Sequence, residues 1–231
     1  MARKIDQFNL DEVFRHLRTN IEFSQVDETV KVINVLSTFP NEGKSTVSTN
    51  LARIFADKYQ NVLLIDCDLR NPTDHKMYKV SNAEGLTNLL TEYVAGQSVF
   101  SYPQVVSLQF KNGSRLFFLP AGSRVPNPTE ILSSKKFGQF LQQARKEFDY
   151  VIIDCAPISR VSDGVPISNM CDGTIYVISA KETDKRAARS AIEDLNRNGA
   201  HVIGTVLTKV ENTGSHKYGY GYGYGYGYGE E

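Results

Sequence analysis

The chain has 231 residues, with 26 lysines and arginines set against 26 aspartates and glutamates, and three cysteines. That length suffices for one α/β domain to bury a core without disulfides or metals, and zero net charge excludes the basic field that would draw it to nucleic acid or an anionic membrane. Cys67, Cys155 and Cys171 show no CxxC spacing and read as small buried apolar residues rather than a disulfide framework or zinc site, while no apolar stretch approaches the roughly 20 residues of a membrane span or resembles a signal peptide, so a cytoplasmic chain is expected.

The first predicted element is a helix over 9–24, with Leu10, Val13, Phe14, Leu17 and Ile21 on one face and charges on the other. Six apolar, strand-like runs follow at 31–37, 61–66, 115–120, 150–154, 174–179 and 201–208. Stretches with helical period separate most of them, at 46–58, 128–147, 163–170 and 184–198. Runs that are continuously apolar rather than alternating belong to strands covered on both faces, as in parallel sheets. The expected fold class is therefore α/β, a doubly wound, mostly parallel sheet flanked by helices. Helix and strand signals mix over 92–114, which reads as a partly irregular excursion. The folded domain is expected to span 1–211. Residues 212–216 read as linker, and tyrosine alternates with glycine from Tyr218 to Gly229. Such a composition cannot bury a core and loses much entropy on ordering, so 212–231 is expected to be a disordered tail.

Three stations along the chain carry chemistry. The first, STFPNEGKST at 37–46, stands between the run at 31–37 and the helix at 46–58. A strand-to-helix turn of this kind aims backbone N–H groups at an anion, and a lysine completes the cradle. Pro40, Asn41, Glu42, Gly43, Lys44, Ser45 and Thr46 are thus the expected nucleotide-binding loop, a P-loop. Lys44 is placed on the β and γ phosphates and the Ser45 hydroxyl on Mg²⁺. Thr38 stands where the common pattern has its first glycine, which leaves Pro40 and Asn41 to supply the turn. A plain helix cap is the bland alternative, and the flanking strand and helix weigh against it.

The second station is LLIDCDLR, where Asp66 and Asp68 close the run from 61. Turn capping together with Arg70 and Asn71-Pro72 is one account of the two acids. The chemical account gives Asp66 the proton of an incoming hydroxyl and Asp68 a place in the metal environment, and the sequence permits the reverse. The third station is VIIDCAP, in which Asp154 ends a buried strand as a Mg²⁺-holding acid does. Ser45, Asp68 and Asp154 form the expected metal set, and Lys44, Asp66 and Asp68 the expected catalytic set. No Asn-Lys-x-Asp guanine reader is present, because the last run closes Leu207-Thr208-Lys209.

With these motifs the chain resembles, over essentially its whole length, the bacterial tyrosine kinases that accompany capsular and exopolysaccharide synthesis, in their split Gram-positive form. The resemblance rests on 37–46, on Asp66-x-Asp68-x-Arg70, on Asp154 to Pro157, on AGSRVPNPTEIL at 121–132 and on the tyrosine-rich end. Asp-x-Asp-x-Arg after a strand discriminates best, since generic P-loop ATPases lack it. The family implies a P-loop NTPase fold, ATP and Mg²⁺ as ligands, and tyrosine hydroxyls as acceptors. Autophosphorylation of Tyr218, Tyr220, Tyr222, Tyr224, Tyr226 and Tyr228 is implied with it. So are a transmembrane adaptor of the polysaccharide co-polymerase type that recruits the chain to the membrane, an opposing phosphotyrosine phosphatase, and a homo-oligomeric ring. The family's ring motif, Glu-x-x-Arg-x-x-Arg, is matched by Glu12, Arg15 and Arg18, which fall close together on a helix. Without the family, those three residues read as an ordinary solvated face.

Partitioning and division-site ATPases are also similar to this chain, but positions 38–41, Thr-Phe-Pro-Asn, lack their second lysine. On that alternative, hydrolysis drives a conformational switch and the tail is a passive partner-binding segment. A third reading, in which the Tyr-Gly repeat is a self-associating low-complexity segment, leaves the three stations unexplained. If the last run is parallel to the rest, the tail leaves on the phosphate-loop side of the sheet, and a flexible linker of about ten residues reaches roughly 17 Å. That span serves either the chain's own site or a neighbour's.

Overall fold

The seven strands are β1 (Val32–Ser37), β2 (Val62–Cys67), β3 (Val106–Gln109), β4 (Arg115–Leu119), β5 (Tyr150–Cys155), β6 (Gly173–Ser179) and β7 (Val202–Thr208). They form one sheet in the order β3-β4-β2-β5-β1-β6-β7 in the computed structural model, which describes residues 10–24, 29–159 and 164–211. Every neighbouring pair is parallel except β3 with β4. The six expected runs are the six parallel strands.

Among the described residues, eight helices cover the sheet: α1 (Leu10–Phe23), α2 (Lys44–Ala56), α3 (Asp74–Tyr78), α4 (Leu86–Glu92), α5 (Pro128–Leu132), α6 (Lys135–Glu147), α7 (Gly164–Ser168) and α8 (Lys185–Arg197). Alternate residues of each central strand feed two separate cores. Val32 and Leu36 of β1 join Leu89, Phe137, Phe140 and Ile167 on one face, whereas Ile33 and Val35 join Phe14, Val47, Leu51 and Phe55 on the other. Both faces being dry explains why these strands are apolar at every position.

Several elements differ from expectation. The helical stretch at 128–147 is broken into α5 and α6 by Ser133 and Ser134, because the Ser134 hydroxyl accepts the Phe137 N–H and caps a fresh start. The excursion at 92–114 holds a 3₁₀ turn, Val99–Ser101, and β3, which returns antiparallel to β4 through Gly113 at φ 87°. The apolar face of α1 is divided: Phe14 and Ile21 are buried against the α2 side of the sheet, while Leu10 and Val13 stay exposed. Cys67 and Cys155 are buried side by side on β2 and β5, and Cys171 is partly buried. Asn9 and Asp163, expected at helix starts, and the whole of 212–231 with the six tyrosines expected as acceptors lie outside the described residues.

Candidate active site

β1, β2 and β5 lie next to one another, so their carboxyl ends form one edge, where ligands of such sheets are bound. The register places Asp66 directly across from Asp154, and Asp154 across from Val35, two residues before the phosphate loop. Adjacent parallel strands thus bring together side chains 88 positions apart in sequence, residues 66 and 154.

The loop itself turns through Asn41 at φ 65° and Gly43 at φ 93°. Asparagine is one of the few side-chain-bearing residues that adopt the left-handed region readily, and it supplies the turn the missing glycine leaves to others. At Gly43 a Cβ would be strained by φ and would also meet Thr208 Cγ2 at 3.2 Å. Thr38 accepts or donates one hydrogen bond with the Tyr176 hydroxyl at 2.8 Å, tying the loop's start to β6. Glu42 is buried; its carboxylate receives the Phe39 N–H at 2.7 Å and the Thr183 hydroxyl, and its carbonyl receives the Thr208 hydroxyl. Glu42 therefore shapes the loop and anchors it to the turn after β6 and to the end of β7, while Pro40 is partly buried and Thr46 exposed.

Lys44 and Ser45 open α2 and point at Asp154. The Lys44 ammonium donates to Asp154 Oδ1 at 2.8 Å, and the Ser45 hydroxyl donates to Asp154 Oδ2 at 2.7 Å. Burial works against the Lys44 charge, but Asp154 first, then Asp68 and Asp74, outweigh it and hold its pKa above the usual lysine range. Asp66 is fully buried, and its two oxygens accept the backbone N–H groups of Asp68 at 3.1 Å and Asp74 at 3.3 Å. Burial, reinforced by the Asp154 charge, pushes its pKa well above the carboxylate range. Asp68 lies nearer the surface and accepts the Asn71 N–H at 3.0 Å; burial raises its pKa, with Lys44 opposing. Arg70 reaches the 121–132 segment, donating to the Thr129 hydroxyl at 3.3 Å.

All the expected nucleotide, catalytic and metal residues therefore occupy one edge of the sheet. The donors are hydroxyl and carboxylate oxygens, the set suited to a hard divalent cation, and the cradle before them suits phosphate. Asp74 belongs to the same group and no motif pointed to it. It opens α3, wholly buried, facing Asp66 and Asp154. Burial first, then the charges of Asp154 and Asp66, raise its pKa far above the carboxylate range. The one sequence signal available for it was its distance of eight residues from Asp66, across a turn that Asn71-Pro72 announces.

Glu12, Arg15 and Arg18 do not share a fate. Glu12 and Arg15 pair at 2.9 Å on the exposed side of α1. Arg18 turns inward, donating to the Ile54 carbonyl of α2 at 2.7 Å. The expected set of three is thus two surface residues and one that docks the helix.

Residues 30–181 match the family model described as an AAA domain, which with the loop geometry defines a nucleotide-binding P-loop protein. The archaeal septum site-determining protein MinD from Pyrococcus horikoshii shares this fold at 18% identity and a TM-score of 0.60, covering 78% of this chain and 70% of that one. Much nearer are the tyrosine-protein kinase YwqD of Bacillus subtilis, 37% identical over 90% of this chain and 84% of that protein, and the tyrosine-protein kinase CpsD of Streptococcus pneumoniae, 38% identical over 90% and 88%. The kinase domain of the Escherichia coli tyrosine kinase ETK superimposes with a TM-score of 0.78 at 28% identity, covering 92% of this chain and 80% of that one. The chain belongs to the bacterial tyrosine-kinase family, and its enzymatic class is protein tyrosine kinase.

Proposed function

We propose that the chain transfers the γ-phosphoryl group of ATP to tyrosines of its own C-terminal cluster, from Tyr218 to Tyr228, and that this controls capsular or exopolysaccharide synthesis through a membrane adaptor. The observation that carries the reading is the meeting of Lys44, Ser45, Asp66, Asp68 and Asp154 at one sheet edge, linked by the 2.8 and 2.7 Å bonds to Asp154. Lys44 and the loop amides would hold the phosphates in line, and Ser45, Asp68 and Asp154 would hold Mg²⁺. When bound, Mg²⁺ neutralises charge building on the transferred group. Asp66, which stands near the end of β2 across from Asp154, takes the proton of the tyrosine hydroxyl once a bound cation keeps it ionised. Positioning and charge neutralisation supply most of the rate.

The path of the chain supports the tail as acceptor. Thr208, the last residue of β7, touches Glu42 and Gly43 of the loop, and the chain leaves this point toward 212–231. Among the described residues no helix is long and apolar enough to cross a membrane, which accords with recruitment by an adaptor that spans it. Glu12 and Arg15, exposed beside Leu10 and Val13, offer a mixed polar and apolar surface for ring assembly. In a ring each tail serves the next subunit's site, and a phosphatase resets the cycle.

The test mixes a Lys44→Met chain that keeps its tail with an active chain truncated before Tyr218. Phosphotyrosine on the Lys44→Met chain is expected. If it stays unlabelled while the intact wild type labels itself, transfer is within one chain; if the wild type too stays unlabelled with ATP and Mg²⁺, the tail is not the acceptor. An ATPase switch with a passive tail would keep its full hydrolysis rate after replacing all six tyrosines by phenylalanine and would never yield phosphotyrosine.

A further inference from the structure

Asp74 is fully buried, and neither of its carboxylate oxygens receives a hydrogen bond from an N–H or O–H donor. The polar group within its reach is Asp154, another acid, with which it can bond only by sharing a proton. One oxygen each of Asp66, Asp74 and Asp154 lie within 4.8 Å of one another. The Lys44 ammonium faces this group and gives its short bond to Asp154, leaving Asp74 without a donor. A buried carboxylate without a donor is neutralised either by a proton or by a cation, and three acids converging on one point with one ammonium among them offer a cation a site in place of protons.

The spacing states which kind. Three oxygens spaced evenly around one cation lie about 3.6 Å apart at Mg²⁺ bond lengths and up to about 4.5 Å at Ca²⁺ bond lengths. The three acids, whose oxygens lie within 4.8 Å of one another, thus close on a larger hard cation with a shift of a few tenths of an ångström and on a smaller one with a shift of about an ångström. The Asp74 N–H bond to Asp66 at 3.3 Å fixes the start of α3 to the end of β2 and holds the two carboxylates in register.

We propose that Asp74 completes, with Asp66 and Asp154, a divalent-cation pocket that fills before the nucleotide arrives. This deepens the kinase reading and rests on it for the function of the site. A cation bound to Asp154 competes with the Lys44 ammonium for that carboxylate and so frees Lys44 to meet incoming phosphate. Cation first, nucleotide second is the resulting order of loading; once nucleotide is bound the cation is held by Ser45, Asp68 and Asp154, and Asp66 is left to act as the base.

The test is a titration of the full-length, nucleotide-free protein with MnCl₂, following free Mn²⁺ by electron paramagnetic resonance. The wild type is expected to bind one Mn²⁺, and Asp74→Asn to bind it at least tenfold more weakly. Thermal melting gives a second readout: in EDTA the Asp74→Asn chain melts no lower than the wild type, and Mn²⁺ raises its Tm less. Asp74→Ser is read the same way should the asparagine variant fold poorly. The proposal is overturned if the variants bind Mn²⁺ as tightly as the wild type, or if the wild type binds none without nucleotide. Wild type that binds Mn²⁺ but neither binds ATP with Mg²⁺ nor forms phosphotyrosine would uphold the pocket and remove the kinase reading.

Discussion

The Lys44–Asp154 pair is nearly inaccessible to water, with side-chain exposures of 6% and 0%. Removing one member of a buried pair commonly costs about 3–5 kcal/mol, because the other charge is left stranded. Lys44→Met strands several acids together, so it is expected to lose phosphotyrosine formation and also stability at neutral pH. Its melting temperature relative to wild type should recover as pH falls and the acids protonate; a constant gap from about pH 5 to pH 8 would contradict this. Gly43→Ala tests the loop separately, since it meets both the positive φ and the 3.2 Å approach of Thr208. Calorimetric titration should show ATP affinity falling at least tenfold in that variant, at a stability cost of about 1–2 kcal/mol. Asp66 and Asp154 were legible in the sequence because each closes an apolar run, which fixes it to a strand end, and Lys44 and Ser45 because they open the helix that follows such a run. Asp74 was not, because its burial depends on how a five-residue helix folds back over the end of β2.

At the level of elements, α1 is fastened to α2 by contacts whose direction the helical period does not reveal. Asp11 pairs with Arg53, Arg18 caps the Ile54 carbonyl, and Glu22 meets Lys58 and Tyr59, each at 2.9 Å. Period alone groups Arg18 with Glu12 and Arg15, yet the side of α1 that docks includes Arg18. The two functions separate by mutation. Arg18→Ala is expected to lower stability by about 1–2 kcal/mol in urea unfolding through loss of a charge-assisted bond. A Glu12→Ala, Arg15→Ala double variant is expected to leave unfolding unchanged and lower the assembled fraction in analytical ultracentrifugation. Reversal of those two outcomes would place the interface on Arg18. Six parallel strands were legible from continuous apolar runs. The short α3, α4 and β3 were not, since elements of five, seven and four residues span too few periods to stand out.

For the whole molecule, the proposed function turns on the relation between tail and site. β7 is the outer strand on its side of the sheet, partly exposed along its length, and it ends against the phosphate loop at Thr208. Phosphorylation at six tyrosines adds roughly 1.5 to 2 negative charges each to a chain of zero net charge. In the proposed ring, repulsion between tails is then expected to drive the subunits apart. Sedimentation at low salt should show the phosphorylated form lighter than the unphosphorylated one, with the difference shrinking as salt screens the charge; equal sedimentation at low salt would contradict the switch.

Mass-spectrometric mapping of phosphate on the full-length chain, incubated with ATP and Mg²⁺ with and without a fragment of the adaptor, reaches the central claim most directly. Phosphotyrosine confined mainly to Tyr218, Tyr220, Tyr222, Tyr224, Tyr226 and Tyr228, and abolished by Lys44→Met, is the predicted result. A tail left unmodified under conditions in which the same protein hydrolyses ATP through Lys44 would contradict it.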